Sequence, residues 1–312
     1  MPLTSDLTLD ASKFDPKAIA KETTELNDKL MKKMEGQPRW WEVGAEKYRQ
    51  MRWNGETPLP KPVVLDSGKN IELSSRDQGR KIPCRVFHPE NGKPKGNTNL
   101  ANDCQLVVIS VGYRLAPENP YPAPNKDCYD VGEYLVDNAE KDYGAPLLFM
   151  TGGSAGAHLS VVTCYHLLKA RPDFAFKGLI LNFGAYDLSG FLPQAHHFDL
   201  PLVFDVDSMH HFIEAHLSNT TPEQRRDPMM SPFFADLTEM KLPSALFTVG
   251  TLDCLMDDSV FMSAKWSMAG AESILKVYPG APYGFVFFPP KDSSPEIQES
   301  LDDIHTYIKE RM

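Results

Sequence analysis

Ser154 stands in Gly152-Gly153-Ser154-Ala155-Gly156, between the apolar run Leu147-Leu148-Phe149-Met150-Thr151 and the helical run Ala157-His158-Leu159-Ser160-Val161-Val162. A strand that turns abruptly into a helix at a serine forms a nucleophile elbow, which lifts the hydroxyl clear of the backbone and makes it available for acyl transfer. Small residues at Gly152 and Gly156 suit such a turn, because it strains the serine backbone and draws neighbouring chain close. The same turn aims the Ala155 N–H, at the helix start, toward the place where an oxyanion would form. Gly152 and Gly153 are expected beside the substrate. The bland alternative is a glycine-rich helix start without chemistry.

The elements that must hold this turn are legible as an alternation. The runs at 105–111, 147–150, 178–183, 244–249 and 273–278 read as strands, and those at 127–138, 155–170, 258–269 and 300–310 read as helices. Uninterrupted apolar strands separated by amphipathic helices indicate an α/β fold with a mostly parallel sheet covered on both faces. Upstream, Val63-Val64-Leu65 and Ile82–Phe87 read as strands separated by a polar, turn-rich stretch. Before them, Ile19, Leu26, Leu30 and Met34 recur at helical spacing and break near Gly36-Gln37-Pro38, so residues 1–55 form a helical arm or cap on a domain spanning 56–312. The segment 188–230, rich in aromatics and histidine, interrupts the alternation and reads as a lid inserted over the sheet. Phe191 and Phe204 are its candidates for lining an apolar substrate pocket, although most of its apolar residues are expected to pack within the lid.

Lys and Arg number 32 against 42 Asp and Glu, for a net charge of −10. An acidic chain without a basic block excludes nucleic acid as a partner, and no apolar run is long enough to span a bilayer. The first residues lack a basic region followed by an apolar stretch, so a cytoplasmic location is expected. Five cysteines lie singly along the chain and are expected to be reduced packing residues. No cofactor and no metal is implied, since neither ligand spacing nor a phosphate-binding glycine loop is present. The expected partner is a small apolar carbonyl or ester compound, and a homodimer is compatible with this reading.

Val111-Gly112-Tyr113-Arg114-Leu115-Ala116-Pro117-Glu118, then Tyr121-Pro122-Ala123-Pro124, then the elbow, resemble the hormone-sensitive-lipase-like branch of the α/β-hydrolase fold from about Lys81 to the C-terminus. That family comprises esterases, lipases and some members that no longer hydrolyse anything. The resemblance implies a triad acid at Asp253, within Gly250-Thr251-Leu252-Asp253-Cys254-Leu255-Met256-Asp257. Asp257 and Asp258 compete for that role but better suit the first turn of the following helix, where carboxylates meet free N–H groups. It also implies a histidine base in a Gly-x-x-His-Gly-Phe segment, with Phe285 beside the substrate.

Two departures from the family pattern stand out. Gly280-Ala281-Pro282-Tyr283-Gly284-Phe285 carries Tyr283 where the histidine belongs, and a phenol with an ordinary pKa near 10 is a poor base at neutral pH. Tyr283 is left as a hydrogen-bond donor, an acid if its pKa is lowered, or a filler of the imidazole's space. His158 and the lid histidines His196, His197, His210, His211 and His216 are the substitutes to consider. The family's His-Gly-Gly-Gly-like oxyanion loop, with the strand that carries it, is also missing, with a seam near Gly96-Asn97. Neighbouring strands must then re-pair, or the sequence is a shortened form of the native one. Three functions stay open: an impaired ester hydrolase, a non-hydrolytic catalyst such as a cyclase, lyase or condensing enzyme, and a small-molecule receptor.

Overall fold

A computed structural model describes residues 8–89, 100–289 and 294–312, so the seam near Gly96-Asn97 lies outside the described residues. The strands are β1 (Lys69–Ser74), β2 (Lys81–Phe87), β3 (Val108–Val111), β4 (Phe149–Gly153), β5 (Gly178–Asn182), β6 (Ala245–Leu252) and β7 (Ser273–Pro282). The α-helices are α1 (Lys21–Met34), α2 (Trp40–Val43), α3 (Ala45–Asn54), α4 (Leu100–Asp103), α5 (Ala123–Tyr143), α6 (Ala155–Ala170), α7 (Pro193–His197), α8 (Val206–His216), α9 (Met256–Met268) and α10 (Pro295–Lys309).

β4-β5-β6-β7 form a parallel sheet in that order, and β1-β2-β3 form a separate antiparallel one. β5 is buried throughout and β6 nearly so, as expected for apolar strands inside an α/β sandwich. Among the described residues β3 pairs with β2 and β4 with β5, but β3 and β4 do not pair with each other, so the re-pairing expected of strands beside a gap is not seen between these two.

The expected strand at Val63-Val64-Leu65 is corrected: these residues lie outside any strand, with Val63 81% exposed, and the strand is the polar segment β1 that follows. β1 is an edge strand that buries only Leu73, so it shows no apolar alternation. The segment 188–230 forms α7 and α8, and its apolar residues Leu188, Phe191, Ala195, Phe198, Leu202, Met209, Ile213 and Leu217 share one core with Phe183, Leu255, Tyr278 and Phe285 of the sheet body. Most of that segment therefore packs onto the body rather than only on itself.

The N-terminal helices are tied to the same segment. Arg39 donates to Asp205 at 2.7 Å, while Asp205 caps α8 through the Ser208 N–H at 2.9 Å. Trp41 stacks on His211 with centroids 3.9 Å apart, and Trp40 lies 5.2 Å from Phe212. Arg49 of α3 clamps Glu118 with two bonds of 2.9 Å, joining this arm to the loop after β3.

Candidate active site

Ser154 sits between β4 and α6 with φ 57° and ψ −121°, a backbone geometry that is costly for a residue with a side chain. Its surroundings enforce the strain. The Ser154 N–H donates to the Asn182 carbonyl of β5 at 2.9 Å, and the Ser154 carbonyl accepts from the Ala157 and His158 N–H groups of α6 at 2.9 and 3.1 Å. A Cβ at Gly152 would lie 2.2 Å from the Gly156 carbonyl carbon and oxygen, so only glycine allows this approach of strand and helix. Ala155 opens α6, and its N–H has no acceptor within the helix, leaving a donor beside the hydroxyl.

Tyr283 follows β7, and its hydroxyl donates to Ser154 Oγ. The ring is held between Phe204, stacked at 4.5 Å, and Phe183, edge-on at 5.4 Å. Burial raises the phenol's pKa above its ordinary value, and the charge of Asp253 works in the same direction. That is the opposite of what an acid role needs, so Tyr283 is a neutral donor.

Asp253 is fully buried, with one oxygen accepting the Leu255 N–H at 2.8 Å and Oδ2 without a partner among the described residues. A buried carboxyl oxygen without a donor is unusual and marks a place where a partner is absent. Burial raises its pKa to about 8, partly offset by the Leu255 N–H and reinforced by Asp258. Asp257 and Asp258 do occupy the first turn of α9, but their carboxylates serve other chain. Asp257 accepts the Gln194 N–H at 2.9 Å, and Asp258 accepts the Tyr186 and Asp187 N–H groups at 2.5 and 3.0 Å.

The hydroxyl opens into a cavity of about 340 Å³, lined by Ser154, Ala155, Tyr283, Leu188, Phe191, Phe204, Met209, Phe212 and Ile213, and by Trp40, Tyr48 and Arg49 from the N-terminal arm. Phe191 and Phe204 thus line the cavity into which the Ser154 hydroxyl opens. Gly152 and Gly153 are absent from its wall because they form the turn beneath it, and Phe285 is corrected to a fully buried core residue 5.2 Å from Tyr278. The contribution of Trp40 and Tyr48 carries no local sequence signal, since it depends on how α2 and α3 dock.

Among the histidines, His158 and His216 line the cavity, with rings 6.4 Å apart. His158 Nδ1 lies 3.0 Å from the Ala185 carbonyl, which can only accept, so the proton sits on Nδ1, and Nε2 has no partner. Burial lowers both imidazoles to about 4, which keeps them neutral. His196 instead bonds the Gly190 carbonyl, and His210 packs against Phe191.

These groups give folding a definite pH dependence. Asp253 and Asp258 keep their protons in the folded chain up to about 8 and 7, whereas unfolded carboxyls release them near 3.8. The folded state therefore binds more protons over that interval, and stability falls as pH rises. His158 and His216 oppose this between about 4 and 6.5, where the unfolded imidazoles hold the extra protons. From pH 6.5 to 8 only the carboxyl effect remains, so the Tm from thermal unfolding is expected to drop and Asp253→Asn to shrink the drop. A Tm that rises over this range in the native chain contradicts a protonated Asp253.

The model of a family described as alpha/beta hydrolase fold matches residues 91–287. An ethyl acetate hydrolase of Pseudomonas putida is 26% identical over 71% of this chain and 76% of its own length. Carboxylesterase NlhH of Mycobacterium tuberculosis is 30% identical over 77% of this chain and 75% of its own. Among solved structures, a hyperthermophilic esterase from Pyrobaculum calidifontis superposes with a TM-score of 0.74 at 25% identity, covering 94% of this chain and 98% of that one. With the elbow, the parallel sheet and these esterase relatives together, the chain belongs to the alpha/beta hydrolase fold family, in its hormone-sensitive-lipase-like branch.

Proposed function

We propose that this chain is a carboxylic-ester hydrolase with an incomplete triad, in which Ser154 is the nucleophile, Ala155 N–H an oxyanion donor, and Asp253 an acid left without the imidazole it would orient. The observation that carries this reading is the pairing of Tyr283 hydroxyl with Ser154 Oγ while Asp253 Oδ2 stays unpartnered. A serine hydrolase needs a base that takes the hydroxyl proton and a carboxylate that orients the base. Here a phenol that is a donor touches the serine, so attack proceeds without general-base help and turnover is slow.

The cavity supports a small, apolar acyl ester as substrate: about 340 Å³ of space is walled by Phe191, Phe204, Met209 and Ile213, and the two arginines on its wall, Arg49 and Arg114, are already paired with Glu118 and Asp127. The helices within residues 8–55 and the segment 188–230 act together as the cap over this space, with Trp40 and Phe212 closing it. Slow hydrolysis of p-nitrophenyl acetate is expected, and Ser154→Ala should bring it to the uncatalysed background. An unchanged rate in that variant removes Ser154 from the nucleophile role.

The Tyr283–Ser154 contact also favours a second reading, capture of a carbonyl compound without turnover. It is distinguished by recovering a bound apolar ester intact after a thermal-shift titration.

A further inference from the structure

β3 and β4 have the composition of buried central strands, Val-Ile-Ser-Val and Phe-Met-Thr-Gly-Gly, yet no residue of either is buried, and Ser110 and Thr151 are exposed. Between them lies a cavity of about 430 Å³, with Val108, Ile109 and Val111 on one side and Phe149, Met150 and Thr151 on the other. The floor and roof of this slot are apolar and come from two different cores. Val131 and Leu135 of α5 belong to the cluster that Ile109 and Val111 join, and Ile180 and Ile308 belong to the cluster that Phe149 joins.

The two side walls are polar backbone whose slot-facing N–H and C=O groups find no partner among the described residues. On β4, the Leu148 carbonyl accepts from Lys177 N–H and Ser154 N–H donates to Asn182, so even-numbered residues point to β5. By strand alternation, the N–H and C=O groups of Phe149, Thr151 and Gly153 point the other way, into the slot. On β3, Gly112 N–H donates to Pro83 of β2 at 2.8 Å, so Ser110 and Val108 face β2 and the backbone groups of Ile109 and Val111 face the slot. Donors and acceptors therefore alternate at strand spacing along both walls, under and over apolar surfaces. A fatty chain would fill the apolar part and leave these groups unpaired; a polypeptide in extended conformation supplies matching donors and acceptors on both edges and apolar side chains on both faces.

We propose that the slot between β3 and β4 is a binding site for one extended, apolar polypeptide segment of about five residues, contributed by a partner protein and inserted as a strand parallel to β4, which would join the two sheets into one. The proposal does not depend on the hydrolytic reading, and its test has no catalytic readout.

The probe is a synthetic peptide with the sequence of β5, Gly178–Asn182, behind two solubilising lysines, since β5 is buried on both faces and already pairs in parallel with the opposite edge of β4. It is titrated into the full chain and followed by thermal shift and residue-resolved amide hydrogen exchange. Saturable binding is expected, with exchange at Phe149, Thr151, Gly153, Ile109 and Val111 slowed by at least roughly tenfold. The same peptide N-methylated at alternate amides, which blocks one edge, is expected to bind at least about tenfold more weakly. Equal affinity for the methylated peptide reduces the slot to a greasy cavity and overturns the proposal. So does protection of those five amides before any peptide is added, which means the half-sheets already pair, and so does an absence of saturable binding.

Discussion

Tyr283→His is expected to raise kcat/KM for p-nitrophenyl acetate by at least roughly a thousandfold. Removing the histidine from a working serine hydrolase costs on the order of a millionfold in turnover, which sets the scale of what an imidazole can restore. A side chain placed without its own supporting packing forfeits part of this, about a hundredfold for a misplacement of ~1 Å. The position is favourable in two respects: the side chain at 283 already reaches Ser154 Oγ, and the buried Oδ2 of Asp253 has no donor and is free to take an imidazole N–H. The variant should still trail complete esterases, because the sequence has no His-Gly-Gly-Gly stretch and a missing oxyanion donor costs about 10²–10³ in rate. If the change leaves ester turnover at the native level, the site has diverged by more than one residue and the hydrolytic reading weakens in favour of binding.

Asp253→Asn is expected to have opposite consequences in the two backgrounds. In the native chain there is no imidazole to orient, so the residual ester turnover should change less than about threefold, within ordinary context effects on a neighbouring site. In the Tyr283→His chain the same substitution leaves the wrong tautomer facing the serine and should cost roughly 10⁴ in kcat. The four rates together form a double-mutant cycle, and a large coupling between 253 and 283 identifies them as members of one catalytic unit. Equal losses in both backgrounds would mean that Asp253 serves the fold alone, through its bond to the Leu255 N–H.

Much of this site was legible from residue types because its determinants are local. Apolar runs of strand length bounded by amphipathic helices placed β2, β5, β6 and β7, and the glycines around Ser154 located the turn, since a Cβ at Gly152 has no room. β1 was missed because an edge strand that buries one residue has no hydrophobic period to read, while Val63 and Val64 misled because β-branched residues suggest a strand even when exposed. Phe285 was misplaced for a different reason: proximity to Tyr283 in sequence does not say that the next turn, at Gly284, sends its ring down into the core. The approach of Trp40 and Tyr48 to Ser154 depends on docking between segments over a hundred residues apart, which no local pattern encodes. The split sheet is a different case: nothing local to β3 or β4 announces it, and the sequence points to it only through the strand that the family resemblance implies and the chain lacks.

Exposure to a fluorophosphonate, followed by mass spectrometry of the peptide that carries residue 154, probes the nucleophile without requiring turnover. One phosphonyl group should appear on Ser154, slowly in the native chain and much faster in Tyr283→His. An unmodified Ser154 in both chains would mean that the elbow presents a hydroxyl with no nucleophilic role.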